Sequence, residues 1–277
     1  MLHKANSVLR YPGGKGRMLV FLRNHLPRAA DIAGSYVEPF LGGGAVFFFV
    51  QPSRALLSDR NPELIDIYRG LRYAPRRVWK LYCSFGSTKE SYFYVRDNVT
   101  GTNLAERAAR MLYLNRTCFK GMWRHNNKGD FNVGYGGETR RWVISEAELI
   151  VVSQVLKQKT IVCADFEKII DNCQVNDFLF LDPPYRPGEK EHINSHYNWQ
   201  RFTFEDHQRL ANVLSRASHR NIRWALTTSS HCEIIQLFKG NYAIDVPRGT
   251  GRMPGISITN SGEVLITSYR TEGYKRL

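Results

Sequence analysis

Cysteine is scarce: the 277 residues hold five, Cys83, Cys118, Cys163, Cys173 and Cys232, with no CxxC pair among them. An odd number without paired spacing argues against a disulfide framework and a zinc ribbon, so reduced thiols are expected. Long apolar runs are also missing. The longest, residues 45–50, is six residues, far below the roughly 18 that a membrane-spanning helix requires. The opening MLHKANSVLR lacks the apolar stretch of a secretion signal, so a soluble cytoplasmic chain is expected. Acidic residues are in short supply, 25 against 39 basic, for a net charge of +14.

The excess positive charge favours a polyanionic partner through phosphate neutralisation and counterion release. It is unevenly spread. Residues 1–68 carry +3, residues 69–145 carry +10 and residues 146–277 carry +1. A generally basic, soluble surface would be expected to partition its charge more evenly.

Hydrophobic residues make up 43% of the chain, enough for a sizeable core. The first and last thirds alternate short apolar strands with amphipathic helices. Strands are expected at 36–37, 54–58, 160–164, 177–181, 222–226 and 263–269, and helices at 16–25, 45–50, 62–71, 166–171, 205–216 and 233–238. The fold class this implies is α/β, a doubly wound, mostly parallel sheet with ligands at the carboxyl ends of its strands. The basic middle third interrupts it with a helical run at 107–114 and then the segment NRTCFKGMWRHNNKGDFNVGYGG. Its richness in Asn, Gly and Arg reads as a surface loop. Its aromatics interleave with cations, which suits stacking on or wedging between bases beside phosphate-binding groups, although packing inside the loop is the other reading for Phe119 and Trp123.

Two places carry chemistry. After the strand at 36–37, Glu38 leads into the turn Leu41-Gly42-Gly43-Gly44, and Asp59 ends the next strand. Glycines that let a backbone approach a ligand, with an acid on the second strand for ribose hydroxyls, follow the logic of an adenosine-containing cofactor, although glycine turns also serve plain structural ends. Glu38 would repel a pyrophosphate and would tolerate an amino or sulfonium group. The second place is FLFLDPPY. It sets Asp182, Pro183, Pro184 and Tyr185 at the carboxyl end of an apolar strand. Asp182 and the carbonyl of Pro183 can accept both hydrogens of a planar amino group, and Tyr185 offers a face for a base.

With these residues in view, the chain resembles the Dam-type (D12 class) DNA adenine-N6 methyltransferases. The motifs that carry the resemblance are Arg10-Tyr11-Pro12-Gly13-Gly14-Lys15, the run 37–44, Leu57-Ser58-Asp59, Leu112-Tyr113-Leu114-Asn115-Arg116, Gly129-Asp130-Phe131-Asn132-Val133 and Asp182-Pro183-Pro184-Tyr185, in the family's order. The resemblance implies a class I S-adenosylmethionine-dependent methyltransferase fold, with residues 1–68 and 146–277 as a discontinuous catalytic domain. Residues 69–145 would be an inserted, mainly helical target-recognition domain. It implies S-adenosyl-L-methionine as cofactor, held by Tyr11, Pro12, Gly13, Gly14, Lys15, Glu38, Phe40, Gly42, Gly44, Asp59, Asp182 and the adenine-edge pair Asp165-Phe166.

Transfer of a methyl group to a flipped-out adenine in double-stranded DNA would then fall to Asp182, Pro183, Pro184 and Tyr185. DNA contacts are expected from Arg116, Phe119 as a wedge, Lys120, Met122, Trp123, Arg124 as a guanine reader, Asn126, Lys128 and Asn132. Tyr197, in the loop around 188–200, is a further candidate. His192 and His196 in that loop suggest a polar lid rather than a metal site, and no metal is expected. Other expectations are a monomer or weak dimer, nucleoid association, no membrane, and a cognate restriction endonuclease as one partner. The same acceptor geometry serves cytosine N4 or an RNA adenine, and a catalytically silent DNA-binding homologue would keep the same fold.

Overall fold

The computed structural model describes residues 5–11, 14–138, 144–185, 202–247 and 262–277. In chain order its elements are α1 (Leu19–Arg23), β1 (Tyr36–Glu38), α2 (Ala45–Val50), β2 (Ala55–Asp59), α3 (Pro62–Tyr73), α4 (Pro75–Ser84), α5 (Lys89–Asn98) and α6 (Leu104–Thr117), then α7 (Glu146–Leu156), β3 (Thr160–Cys163), α8 (Phe166–Asp171), β4 (Phe178–Leu181), α9 (Phe204–His219), β5 (Arg223–Ser229), α10 (Cys232–Gln236), β6 (Tyr242–Asp245), β7 (Glu263–Thr267) and β8 (Lys275–Arg276).

One sheet runs in the order β3-β2-β1-β4-β5-β7-β6-β8. Strands β1 to β5 pair in parallel, and β6, β7 and β8 add an antiparallel edge. The doubly wound, mostly parallel α/β reading therefore holds. Both faces of the central strands are buried, which is why β4 reads as the unbroken apolar run FLFL. Tyr36, Phe178, Phe180 and Ala225 join one core, while their neighbours Val37, Leu179, Leu181, Trp224 and Leu226 join the other. This is the period-two alternation of strands covered on each side. Helices α8, α9 and α10 contribute to the second core, and α2, α3, α6 and α7 to the first.

The caps are legible in the chain. Asn61 accepts from the N–H groups of Glu63 and Leu64 to start α3, with Pro62 in its first turn. Ser145 with Glu148 and Thr203 with Asp206 form capping boxes on α7 and α9. Helix α3 straddles the expected boundary at 68/69 and packs along α6 and α7. The middle segment thus shares the first core with the sheet.

The stretch after α6 differs from its expected character as a surface loop. Cys118 bridges Tyr135 and His125 bridges Phe131, and Trp123, Phe131 and Val133 are buried. Its polar residues bond to backbone: Asn126 Oδ1 accepts from the N–H groups of Lys128 and Asp130, and Asn115 Nδ2 donates to the carbonyls of Arg10 and Gly121. Composition suggested solvent because asparagine and glycine are frequent in exposed loops; here they close turns within a folded excursion. The segment 16–25 is a turn of 3-10 helix at Lys15–Arg17 followed by the short α1.

Candidate active site

The strand order reverses between β1 and β4, so the crevice outside their carboxyl ends lies at the switch point of the sheet. β1 delivers Glu38 there. Its carboxylate is buried, accepts from Tyr36 Oη at 2.6 Å and from the Phe47 N–H in the first turn of α2. Burial pushes its carboxyl up to about 8, against the Tyr36 bond and with the Asp182 charge adding to the rise.

The glycine turn follows. Gly42 and Gly44 adopt φ of +47° and +66°, a left-handed conformation that disfavours side chains. Tyr11 lies across the turn so closely that a Cβ on Gly43 would come within 2.9 Å of Tyr11 Cβ. Asp59 Oδ2 accepts from Gly42 N and its Oδ1 from Asn61 N, both at 3.0 Å. The acid expected at the ribose thus ties the turn to the end of β2, and burial raises its carboxyl above the ordinary value. Tyr68 Oη donates to the Gly42 carbonyl at 2.9 Å, and Gly14 N to the Tyr11 carbonyl at 3.0 Å.

β4 delivers Asp182. Lys15 Nζ lies 2.7 Å from Asp182 Oδ1 and 4.6 Å from the centroid of the Tyr185 ring. Lys15 is only 5% exposed, so this ion pair is largely shielded from water. Thr227, on β5, donates to the same Oδ1 at 2.7 Å. Burial, then the charges of Asp182 and Glu263, hold the Tyr185 phenol well above its ordinary value. Glu263 stands at the start of β7 in register with Ser229 of β5, and burial raises its carboxyl against the pull of Lys15.

At the other end of the crevice, Asp165 caps α8 and Phe166 is buried beneath it. The Phe166 ring centroid lies 5.3 Å from that of Phe40 and 5.9 Å from that of Phe202. The structure therefore gathers Tyr11, Gly14, Lys15, Glu38, Phe40, Gly42, Gly44, Asp59, Asp165, Phe166, Asp182 and Tyr185 along the carboxyl edge of the parallel strands, with Pro183 and Pro184 following β4. Pro12, Gly13, Tyr197, His192 and His196 lie outside the described residues.

The expected DNA contacts divide. Phe119 is 47% exposed, Lys120 lies against its ring, and Asn126 and Lys128 are exposed. Met122 is half-buried, as are Arg124 and Asn132. Arg124 donates through Nε to Asn132 Oδ1 at 2.8 Å and through Nη2 to its carbonyl at 3.1 Å. Two expectations need correcting. Trp123 is fully buried, with Nε1 donating to Glu63 Oε2 at 2.9 Å, and Arg116 is buried with Nη1 donating to the Val8 carbonyl at 2.7 Å. Neither side chain faces solvent, so both support the loop from within.

Sequence reasoning missed Thr227, Glu263, Phe202, Arg209 and Glu63. Thr227 reaches the crevice through the pairing of β4 with β5 and Glu263 through the pairing of β5 with β7, which no local pattern announces. Arg209 is one of two arginines on the amphipathic helix α9. Among the described residues there is no cluster of three metal-ligating side chains, and no helix is long and apolar enough to cross a membrane.

Comparison with known proteins agrees with this geometry. The chain is 29% identical over 272 residues to a type II methyltransferase, M1.LlaDCHI, of Lactococcus lactis subsp. cremoris, covering 94% of each chain. It is 30% identical over 252 residues to the type II methyltransferase M.MjaIII of Methanocaldococcus jannaschii, covering 84% of this chain and 87% of that one. It is 29% identical over 245 residues to a DNA adenine methylase of Vibrio cholerae, covering 86% and 87%. The family model of the D12 class N6 adenine-specific DNA methyltransferases matches residues 11–248, and the chain belongs to that family.

Proposed function

We propose that the chain methylates adenine N6 in double-stranded DNA with S-adenosyl-L-methionine as donor, on a base rotated out of the helix into the crevice between β1 and β4. The observation that supports this most directly is Asp182, fixed through Oδ1 by Lys15 and Thr227 at the carboxyl end of β4, with Tyr185 beside it.

The residues present suit this cofactor. Among the described residues no cation pairs with Glu38, a buried carboxyl pushed up to about 8, and a positively charged ligand group would meet that need. The Phe40 and Phe166 rings offer an apolar purine seat, and Asp165 an acceptor for an exocyclic amine. Asp59, Tyr11, Gly42 and Gly44 shape the turn between these ends, with Pro12, Gly13 and Gly14 in the preceding motif. When bound, S-adenosylmethionine supplies an electrophilic methyl group.

This chain's residues do the remaining work. Adenine N6 is conjugated into its ring and is a poor nucleophile. Asp182 and the Pro183 carbonyl would accept its two hydrogens, orienting the amine and reducing the conjugation of the nitrogen lone pair with the ring. Pro183 and Pro184 have no N–H to compete for those acceptors, and Tyr185 provides a stacking face. Lys15 and Thr227 fix the carboxylate, so the reaction depends chiefly on alignment, which contributes about 7–11 kcal/mol in favourable cases.

Residues 69–145 would recognise the target. Phe119, Lys120, Asn126 and Lys128 supply its exposed surface, and Arg124, held by Asn132, supplies a guanidinium suited to guanine. The segment's strongly basic composition supports phosphate contact. A soluble, nucleoid-associated protein acting as a monomer or weak dimer follows from this reading, with a cognate endonuclease as the partner suggested by the type II relatives. The test is to sequence modified bases in DNA from cells expressing the chain. N6-methyladenine at one recurrent sequence is expected, and N4-methylcytosine or no modification would defeat the proposal.

A further inference from the structure

Asp165 is held by an arginine from a distant helix. Arg209, on α9, donates through Nη2 to Asp165 Oδ1 at 2.8 Å and to Oδ2 at 2.9 Å. Arg60, one residue beyond β2, brings Nη1 to 3.6 Å from Oδ2. Asp165 Oδ1 also accepts from Glu167 N at 3.0 Å as the cap of α8. The same Arg209 guanidinium stands over Phe166, with Cζ 4.6 Å from the ring centroid. It is steadied in turn by Glu167 at 3.1 Å and Asp206 at 3.5 Å.

One side chain therefore contacts both members of the aspartate and phenylalanine pair. A carboxylate has about four lone-pair directions, and the contacts with Glu167 N and Arg209 occupy most of them. The direction left for an incoming amine is consequently set by the position of Arg209. Its stacking on Phe166 fixes the ring that lies next to Phe40.

We propose that Arg209 is the positioning residue of the cofactor's adenine subsite: it orients the Asp165 carboxylate and the Phe166 ring together, so that α9 governs affinity for the purine end while leaving the methyl-transfer centre untouched. This rests on the reading of Asp165 and Phe166 as the adenine-edge pair. Asp165 and Arg209 are 33% and 41% exposed, so solvent screens the contact and its effect is modest.

The experiment is a calorimetric titration of S-adenosylhomocysteine into the full chain and into Arg209→Ala, Arg209→Lys, Asp165→Asn and the double variant Arg209→Ala with Asp165→Asn, together with kcat and cofactor KM for each. The Asp165→Asn variant retains a side-chain oxygen able to cap α8. Arg209→Ala is expected to weaken binding by about two- to fivefold, to raise the cofactor KM in parallel, and to leave kcat at saturating cofactor essentially unchanged. Asp165→Asn weakens binding at least as much, and the double variant falls short of the product of the two single losses. Arg209→Lys, which keeps charge but loses the doubled contact, shows an intermediate loss and carries the test should the alanine variant fail to fold. If Asp165→Asn weakens binding while both Arg209 variants bind as the parent does, the inference about Arg209 is overturned alone. If Asp165→Asn also binds normally, the adenine-edge reading falls with it. A fall in kcat with unchanged KM would likewise overturn the proposal.

Discussion

Lys15 Nζ and Asp182 Oδ1 are 2.7 Å apart, joining the N-terminal glycine motif to the end of β4. The two segments are distant in sequence, yet the cation of one sets the position of the carboxylate of the other. Replacing Lys15 with Met keeps the apolar stem and removes the charge. It should destabilise the chain by about 1–3 kcal/mol and lower kcat at least tenfold. Equilibrium unfolding in urea and steady-state methylation measure the two effects. Activity equal to the parent's would show that Asp182 needs no such partner.

The pairing of Trp123 with Glu63 seats the middle segment on α3. Trp123→Phe removes the indole donor while retaining most of the buried volume, and should cost about 1–2 kcal/mol of stability. Glu63 keeps its contact with His125 at 3.0 Å, so the fold survives. Cofactor affinity should be unchanged. An unaltered unfolding midpoint with abolished DNA binding would instead mark Trp123 as a direct contact.

Phe119 presents the opposite case. It is 47% exposed, so Phe119→Ala should change stability by no more than about 0.5 kcal/mol. Its loss should reduce affinity for duplex DNA and slow rotation of the base, observed through 2-aminopurine fluorescence at the target position. Lys128→Ala should reduce the slope of log K against log salt by about one. If both variants bind DNA as the parent does, the recognition surface lies elsewhere.

Glu38 predicts a pH dependence whose sign is fixed by its environment. Its carboxyl sits near 8 in the folded chain against an ordinary value of 4.5, so the folded state holds the extra proton between those limits. The contribution is therefore fully present below about pH 4.5 and is lost as pH rises through 8. Glu38→Gln should flatten the stability profile across that window in chemical unfolding at a series of pH values. A positively charged ligand favours the ionised form, so S-adenosylmethionine binding to the parent at pH 7 should release protons, detectable as a buffer-dependent binding enthalpy.

What the sequence made legible follows from how local each signal is. The run at 178–181 ending in Asp182 and two prolines declares a buried strand and its carboxyl end within a single short stretch. The glycine turn with Glu38 and Asp59 does the same for β1 and β2. Thr227 and Glu263 were not legible, because the parallel register of β4 with β5 sets Thr227 beside Asp182 and the antiparallel register of β5 with β7 brings Glu263 to the same edge. The middle segment misled for another reason. Asn115, Asn126 and Asn132 have the composition of solvent-facing loop residues, yet their amides bond to Arg10, Lys128, Asp130 and Arg124, closing a structure around Trp123.

The central claim is tested most directly by single-turnover transfer of labelled methyl from S-adenosylmethionine to duplex DNA, comparing the parent with Asp182→Asn and digesting the product to nucleosides. The parent should yield N6-methyladenine, and the variant, folded and still binding S-adenosylhomocysteine, should be slower by at least a hundredfold, about 2.7 kcal/mol in barrier. Transfer at the parental rate by Asp182→Asn would contradict the account.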